Sequence, residues 1–407
     1  MNIIDGGITA AKGFMAASTA ANIKYEGRED MAMIFSDKPC VLAGTFTTNV
    51  VKAAPVLWDK KLVDEHRQVR AVVVNSGIAN ACTGDEGYEY CRRTAQAAGK
   101  NLLIDESSVC IASTGVIGMQ LPIERLEQGI DKMSSSLSDS RQAAHMAAKA
   151  IMTTDTISKE AAVRVRIHGV DVTIGAMTKG SGMIHPGMCT MLSFITTDAA
   201  IDRELLQEAL SLTVQDSYNM ISVDGDMSTN DTCLLMANGM AGNVPVTKDD
   251  ESFSRFLEAL SEVNRTLARM MAKDGEGATA LLEVVVKKAS SDKAARTLAK
   301  SVVSSSLVKA MIHGHDANSG RVLCALGYSG IDFDPYKVDL SAKSRAGEIM
   351  LMKDGKYADY SEERATEILS EDEVTIICDM NQGDYSATAW GCDLTSEYVK
   401  INADYRS

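Results

Sequence analysis

Residues 179–199 carry the side chains in this chain whose types and spacing best suit chemistry. They read KGSGMIHPGMCTMLSFITTDA. The stretch begins with Lys179 in a Gly-Ser-Gly loop and turns at Pro186-Gly187. It then enters an apolar run, residues 191–195, that predicts a buried strand.

Thr190 stands just before this strand and has two interpretations. Thr is a good strand former, so it can be an ordinary core residue. Alternatively, self-cleavage of the Cys189–Thr190 bond makes it a new N-terminus. Its hydroxyl is then a nucleophile and its freed α-amine the general base, because a Thr hydroxyl is a weak nucleophile without an adjacent base.

An acyl-transfer reaction also needs donors for a developing oxyanion, and Ser113-Thr114-Gly115 is the candidate. These residues follow a short apolar run from Val109 and precede Val116-Ile117-Gly118. A Thr hydroxyl and a Gly backbone N–H at a strand end can point at one negative charge. The alternative is that this tripeptide is simply a turn.

The stretch from Lys179 resembles the self-cleavage signature of the ornithine acetyltransferase family, KGSGMIxPxMxTMLxFxTTDA. The resemblance extends over nearly the whole chain, through IASTGVIG, DGEGA and the C-terminal WGCDLTSEYVKINADYRS. It implies that Thr114 and Gly115 form the oxyanion hole, and that Cys189 and Thr190 flank the cleaved bond. It also implies substrate binding by Thr153, Lys179, Thr190, Glu276, Asn402 and Ser407.

The same side chains have plainer interpretations. Lys179 can be a solvated loop residue, although its point charge also suits a substrate carboxylate. Thr153 can be a turn residue, and Asp155 can cap the segment that follows it. The glycines beside Glu276 can be ordinary helix-capping residues, although they also give this carboxylate room to approach an amine.

The composition limits the class of protein. The chain has 407 residues, 45% hydrophobic and only 5% aromatic, which suits an α/β enzyme with two lobes. A formal charge of −14 argues against nucleic acid or an anionic membrane surface as a partner. No apolar run approaches the length of a membrane span, and the N-terminus lacks the pattern of a signal peptide. We therefore expect a soluble, cytoplasmic protein.

No metal or cofactor is expected. The nine cysteines are scattered singly without a CxxC pair, a pattern typical of reduced thiols. Asp224-Gly225-Asp226 followed by Asn230-Asp231 resembles the start of a calcium loop but lacks the Glu at its twelfth position, so turn chemistry is the better account. A Thr/amine mechanism needs none of the six histidines.

The fold class predicted is mixed α/β or layered α+β, because strands and helices alternate without a regular βαβ repeat. Residues 163–174 predict a hairpin around His168-Gly169. Residues 294–311 predict one helix, and the tail from Asp372, including EYVKINA, is interpreted as largely strand. The family resemblance implies a layered α/β sandwich similar to that of self-processing Thr/Ser aminopeptidases, an N-terminal-nucleophile-like fold.

Several positions depart from the family pattern. Cys189 replaces a small Ala but is itself small enough for cleavage, and Gly187 stands where Asn is common. Gly187 adds backbone freedom to the turn that must strain the cleaved bond. Ile78 replaces Asn and Ser319 replaces Trp, which bears on packing or on the choice of acceptor.

The resemblance implies a self-cleaving N-acetyltransferase of arginine biosynthesis. It would move acetyl from N2-acetyl-L-ornithine to L-glutamate through an acetyl-Thr190 ester, with acetyl-CoA left open as a second donor. An α chain of residues 1–189 and a β chain of 190–407 would assemble as α2β2. Two alternatives remain: an amidohydrolase or aminopeptidase on the same scaffold, and a non-enzymatic relative that stays uncleaved.

Overall fold

The structure is a computed structural model that describes residues 1–185 and 191–404. Its strands, in chain order, are β1 Asn2–Ile4, β2 Phe14–Thr19, β3 Met31–Phe46, β4 Val69–Ile78, β5 Val109–Val116, β6 Lys159–Ile167, β7 Val170–Lys179, β8 Leu192–Thr197, β9 Ile221–Ser222, β10 Thr232–Ala237, β11 Leu281–Ala289, β12 Asp339–Ser344, β13 Gly347–Lys353, β14 Lys356–Tyr357, β15 Glu373–Asp379 and β16 Tyr385–Cys392. Its α-helices are α1 Ala54–Asp64, α2 Gly84–Leu102, α3 Ile123–Ser134, α4 Arg141–Ala150, α5 Arg203–Gln215, α6 Ser252–Lys273, α7 Asp292–Ser304, α8 Ser306–His313, α9 Ser319–Gly327, α10 Glu362–Leu369 and α11 Ser396–Ala403.

The described residues form two compact units, as the chain length predicted. The first unit contains residues 1–180, 191–215 and 227–267, and the second contains 181–185, 216–226 and 268–404. Each unit therefore takes segments from both sides of residue 190. Within the described part of the chain, no helix has the length and apolar character of a membrane span.

The first unit is built on a mixed sheet with the order β1-β6-β7-β8-β10-β3-β4-β5, in which β2 also pairs with β3. The pairs β8/β10 and β4/β5 are parallel, and their neighbours are antiparallel. Helices α1 to α5 pack on strands of this sheet or on each other. Nearly every residue of β4 is buried, as is typical of a strand covered on both faces.

The second unit has its own mixed sheet, ordered β14-β13-β12-β15-β11-β16-β9. Strands β11 and β15 are parallel, and helix α7 packs on β11 and β16. Two mixed sheets with helices on them confirm the predicted layered α/β class. The mixed strand directions also agree with the lack of a regular βαβ repeat in the sequence.

Local sequence signals predicted several elements correctly, and two of the predictions were wrong. The hairpin around His168-Gly169 is confirmed: β6 and β7 pair antiparallel, and both turn residues have positive φ, as a two-residue hairpin turn of this type requires. The single helix predicted over residues 294–311 is wrong. It is interrupted at Ser305, whose extended backbone lets its side chain accept the Val308 N–H and begin a second helix.

The strand predicted for EYVKINA is also wrong, because these residues lie in helix α11. The Thr395 hydroxyl accepts the backbone N–H groups of Glu397 and Tyr398, which fixes the first turn of this helix. A Thr followed by a Glu in the first turn is a helix-start signal. That local cap prevails over the apolar alternation of Tyr, Val and Ile.

The edge strand β5 is protected by two side chains of helix α1. Trp58 Nε1 donates to the Val109 carbonyl at 3.0 Å, and the Asp59 carboxyl accepts the Ile111 N–H at 2.8 Å. Asp59 is fully buried, and its second oxygen has no hydrogen-bond partner among the described residues. Burial therefore raises the pKa of this carboxyl well above its usual range, despite the Ile111 donor.

Asp59→Asn tests this arrangement through the pH dependence of stability. A carboxyl whose pKa is raised by folding contributes most below its unfolded pKa of about 3.9, and this contribution is lost as pH rises toward the folded pKa. The unfolding free energy of Asp59→Asn relative to the wild type should therefore rise by about 1.4 kcal/mol per pH unit across that window. Urea unfolding at a series of pH values measures this, and a difference that does not change with pH would contradict it.

Candidate active site

Three predicted site residues lie outside the described residues. They are Cys189 and Thr190, which flank the predicted cleavage point, and the terminal Ser407. Their roles remain predictions. The described residues closest to the cleavage point in sequence are His185 and Met191.

Three other predicted residues, from distant parts of the sequence, meet in the first unit. The Lys179 ammonium donates to the Thr153 hydroxyl at 2.8 Å and to the Thr114 hydroxyl at 3.4 Å. Lys179 ends strand β7 and is only 3% exposed, so it is not a solvated loop lysine. A buried cation between two hydroxyl groups is suited to fix an anionic or polar ligand.

A buried carboxylate, Asp155, organises this cluster. One of its oxygens contacts the Lys159 ammonium and the Gly180 N–H, each at 2.7 Å. The other accepts the Thr153 N–H and lies 3.9 Å from the Lys179 nitrogen. Burial alone would raise the pKa of Asp155, but the two lysines and these donors lower it to about 2. Asp155 is therefore an anion that holds both Lys179 and the backbone around it.

The sequence prediction missed this role of Asp155, which it treated as a capping residue. One signal was present in the sequence. Lys159 follows Asp155 by four positions, and such a pair is a common ion-pair spacing on a helix. Here it occurs outside a helix, at the entry to strand β6, where both side chains are completely buried.

The strand that carries the predicted oxyanion hole packs unusually closely on its neighbour. Gly115 pairs with Gly77 in the parallel β4/β5 ladder, and its φ of +133° is one that residues with a side chain rarely adopt. A Cβ at Gly115 would overlap the backbone of Gly77. The position therefore requires glycine for a structural reason, in addition to its predicted role.

In the second unit, the predicted substrate residues Glu276 and Asn402 contact each other. The Asn402 amide donates to the Glu276 carboxylate at 2.7 Å. The Glu276 N–H donates to the Ser181 carbonyl at 2.9 Å, and a Cβ at Gly182 would overlap the carboxylate. The glycine of the KGSG loop thus lets the DGEG loop pack directly on its backbone. Asn402 is presented from helix α11, not from the strand predicted there.

Asp224, which sequence analysis assigned to turn chemistry, anchors the chain close to the predicted cleavage point. Its carboxylate accepts the backbone N–H groups of Met183 and Ile184 at 2.6 and 2.9 Å, and the Tyr398 hydroxyl donates to it at 3.2 Å. His185 contacts the Ser222 hydroxyl at 3.2 Å. Burial and the nearby Lys300 lower the pKa of this histidine to about 4, so its ring is neutral at physiological pH.

A cleft of about 620 Å³ in the first unit includes Thr153 and Asp155 in its wall. Arg28 and Lys149 also line it, with the apolar side chain of Met146. Thr153 is therefore within reach of a small molecule. The described residues contain no group of side chains that could hold a metal ion.

Asp155→Asn tests the buried charge cluster. The substitution removes the negative charge from beside two buried ammonium groups, which should destabilise the fold by about 3–5 kcal/mol at neutral pH. Because folding lowers the pKa of Asp155 to about 2, its stabilising contribution is present above the unfolded pKa of about 3.9 and is lost as pH falls below it.

Chemical denaturation of the Asp155→Asn variant at neutral and acidic pH measures the effect. Asp64→Asn is the matched control, since it removes an exposed carboxylate that also pairs with a lysine four positions away. The control substitution should lower the free energy of unfolding by less than about 1 kcal/mol. Equal effects of the two substitutions would contradict this account of Asp155.

Known proteins match nearly the whole chain. Residues 15–407 match the ArgJ family model. The arginine biosynthesis bifunctional protein ArgJ of Thermotoga neapolitana is 49% identical over 397 residues, which cover 97% of this chain and 99% of that protein.

Two solved structures are also similar to this chain. The ArgJ protein of Bacillus halodurans is 44% identical and covers 52% of this chain and 97% of its own, with a TM-score of 0.49. The ornithine acetyltransferase of Mycobacterium tuberculosis, solved in complex with ornithine, is 37% identical and covers 47% of this chain and 99% of its own, with a TM-score of 0.43.

The family assignment follows from the first two of these matches. One is a family model that spans almost all of the sequence, and the other is a relative about half identical over its entire length. Both agree with the family that the motifs around Lys179, Thr114, Glu276 and Asn402 resemble. This chain belongs to the ArgJ family of N-acetyltransferases, the ornithine acetyltransferase family.

Proposed function

We propose that this enzyme cleaves itself between Cys189 and Thr190 and then transfers acetyl from N2-acetyl-L-ornithine to L-glutamate, in arginine biosynthesis. Thr190 is the nucleophile, and Thr114 and Gly115 stabilise the oxyanion. The proposal includes acetyl-CoA as a second acetyl donor, which would make acetylglutamate directly.

The observation that carries the proposal is the buried contact of Lys179 with Thr153 and Thr114. Three separate sequence motifs predicted that these residues take part in one reaction. In the structure, the Lys179 ammonium lies within hydrogen-bond distance of both hydroxyl groups. Because Lys179 donates to the Thr114 oxygen, the hydrogen of that hydroxyl is available to donate to an oxyanion. This geometry supports an oxyanion role for Thr114.

Self-cleavage requires only groups of the chain and one water. The Thr190 hydroxyl attacks the Cys189 carbonyl carbon, and the peptide C–N bond breaks as an ester forms. The nitrogen of residue 190 becomes a free amine. Water then hydrolyses the ester, which leaves a carboxylate on Cys189 and regenerates the Thr190 hydroxyl.

Acetyl transfer then proceeds in two half-reactions. The Thr190 hydroxyl gives its proton to the α-amine and attacks the acetyl carbonyl of acetylornithine, and Thr114 and Gly115 donate to the oxyanion. The intermediate expels ornithine, whose nitrogen takes the proton, and leaves an acetyl ester on Thr190. The amine of glutamate attacks this ester and leaves as acetylglutamate, with the proton returned to the Thr190 oxygen.

In addition to Thr190, five residues are proposed to bind the amino-acid substrates. Lys179 offers a buried positive charge for a substrate carboxylate, with Thr153 as its hydrogen-bonding neighbour. The Glu276 carboxylate, fixed by Asn402, offers a negative charge for a substrate amine. Ser407 completes the set by resemblance to the family.

The proposal extends to the assembly. Cleavage yields an α chain of residues 1–189 and a β chain of residues 190–407, which assemble as an α2β2 heterotetramer. An α chain that ends at Cys189 keeps Thr114, Thr153 and Lys179, and the β chain keeps Glu276 and Asn402. Both products are therefore needed for the complete set of proposed substrate-binding residues.

The first experiment is the intact mass and N-terminal sequence of the purified protein beside Thr190→Ala. We expect two chains for the wild type, one of which begins Thr-Met-Leu, and a single chain for the variant. A wild-type chain that stays whole on prolonged incubation would rule out the Thr/amine mechanism.

The reaction itself is tested with acetylornithine in the presence and absence of glutamate. A transferase forms acetylglutamate and ornithine in equal amounts and releases little acetate without an acceptor. An amidohydrolase or aminopeptidase would release acetate whether or not glutamate is present. That result would replace the proposed function with hydrolysis.

Thr114→Ala tests the oxyanion role. Loss of one oxyanion donor should lower kcat by about 100- to 1000-fold. Thr94→Ala is a matched control, because Thr94 is also buried and its hydroxyl donates to the Tyr90 carbonyl of its own helix. We expect kcat of the control to be unchanged, and a Thr114→Ala enzyme with wild-type kcat would contradict the assignment.

A further inference from the structure

Asn230, a buried residue just before strand β10, holds the strand that carries the proposed oxyanion hole. Its side-chain amide donates to the Ala79 carbonyl at 2.6 Å and to the Ser113 carbonyl at 2.8 Å. Ser113 immediately precedes Thr114 in strand β5, and Ala79 immediately follows strand β4. One side chain therefore joins the ends of both strands where Gly77 and Gly115 pack against each other.

The next residue, Asp231, holds the strand that follows the proposed nucleophile. Its carboxyl accepts the Met191 N–H at 3.1 Å, and the Thr232 N–H donates to the Met191 carbonyl at 3.1 Å. Both backbone polar groups of the residue after Thr190 are thus bound by residues 231 and 232. Asp231 is completely buried, so water does not compete for this contact.

These two adjacent side chains link the proposed oxyanion strand to the strand after the nucleophile. In the sheet order, β10 lies beside β8, whereas β3 and β4 separate it from β5. The backbone ladder therefore connects β5 to β8 through three intervening strands and not directly. Asn230 and Asp231 provide a direct hydrogen-bonded connection between them, which we call the Asn-Asp brace.

We propose that the Asn-Asp brace is a positioning device for the reaction: Asn230 sets the place of Thr114 and Gly115, and Asp231 sets the place of Met191 and so of the residue bonded to it. This inference rests on the proposed function. Acyl transfer depends on the distance between the attacking oxygen and the oxyanion donors, and an error of about 1 Å costs on the order of 100-fold in rate. The same distance governs self-cleavage, because that step also forms an oxyanion.

The chain offers matched controls for both residues. Asn243 is a buried Asn of the same unit whose amide also donates to two backbone carbonyls, those of Ala200 and Val244. Asp198 is a buried Asp that follows the other end of strand β8 and accepts the Thr173 and Lys12 N–H groups. Neither control contacts strand β5 or Met191 through its side chain in the contacts described.

The experiment compares Asn230→Ala with Asn243→Ala, and Asp231→Ala with Asp198→Ala. Each protein is assayed for self-cleavage by intact mass, for kcat and KM of acetyl transfer, and for thermal stability. Both brace variants should slow cleavage and lower kcat by about 100-fold, with KM changed by less than about threefold. The control variants should lose thermal stability but keep both rates.

Asp231→Asn is a test by conservative replacement. Burial raises the pKa of the Asp231 carboxyl well above its usual range, so a neutral amide is a close substitute. The Asn oxygen can still accept the Met191 N–H. We therefore expect this variant to recover most of the rate that Asp231→Ala loses. If Asp231 only stabilised the fold, this recovery of rate would not be required.

The outcomes separate this inference from the proposed function. An active wild type with brace variants that keep its kcat and cleavage rate would overturn the brace alone. Control variants that lose kcat as much as the brace variants would also overturn it, because the effect would then be general destabilisation. A wild type that neither cleaves nor transfers acetyl would overturn both.

Discussion

The buried carboxylate of Asp155 is the interaction on which the rest of the candidate site depends. Two lysines with almost no exposure lie beside it, and burial of an ammonium group is costly unless an opposite charge lies close to it. The same carboxylate binds the backbone on either side of the cluster, at Thr153 and Gly180. One side chain that touches no substrate in the proposed mechanism therefore holds Lys179 and the backbone around it in place.

Close backbone packing is the second constraint. A Cβ at Gly115 would overlap the backbone of Gly77, and a Cβ at Gly182 would displace the Glu276 carboxylate from its place. These glycines allow strands and loops to approach more closely than ordinary side chains permit. The family's glycine-rich motifs thus have a structural explanation within each unit, independent of their place in the reaction.

The sequence predicted local structure well where patterning and turn chemistry agree. The β6/β7 hairpin is such a case, because alternation on both sides of His168-Gly169 leaves one arrangement. The sequence-based prediction was wrong at residues 396–403, because the helix cap at Thr395 outweighs the apolar alternation that favoured a strand. The family motifs identified Thr114, Thr153 and Lys179 individually. The contact among these three residues depends on the order of strands in the sheet, which no local sequence pattern encodes. For the same reason, the sequence did not predict the role of Asp155 or the Asn-Asp brace.

The interleaving of the first sheet has a consequence for folding after the proposed cut. Strands β8 and β10 lie side by side between β7 and β3, so the strands that follow position 190 are flanked on both sides by strands that precede it. The precursor can assemble this sheet as a single chain in a unimolecular reaction. Once the bond is broken, reassembly from the unfolded state requires two separate molecules to meet and becomes concentration-dependent. The uncleaved precursor would thus fold and unfold reversibly, whereas the cleaved protein would stay folded mainly because it unfolds slowly.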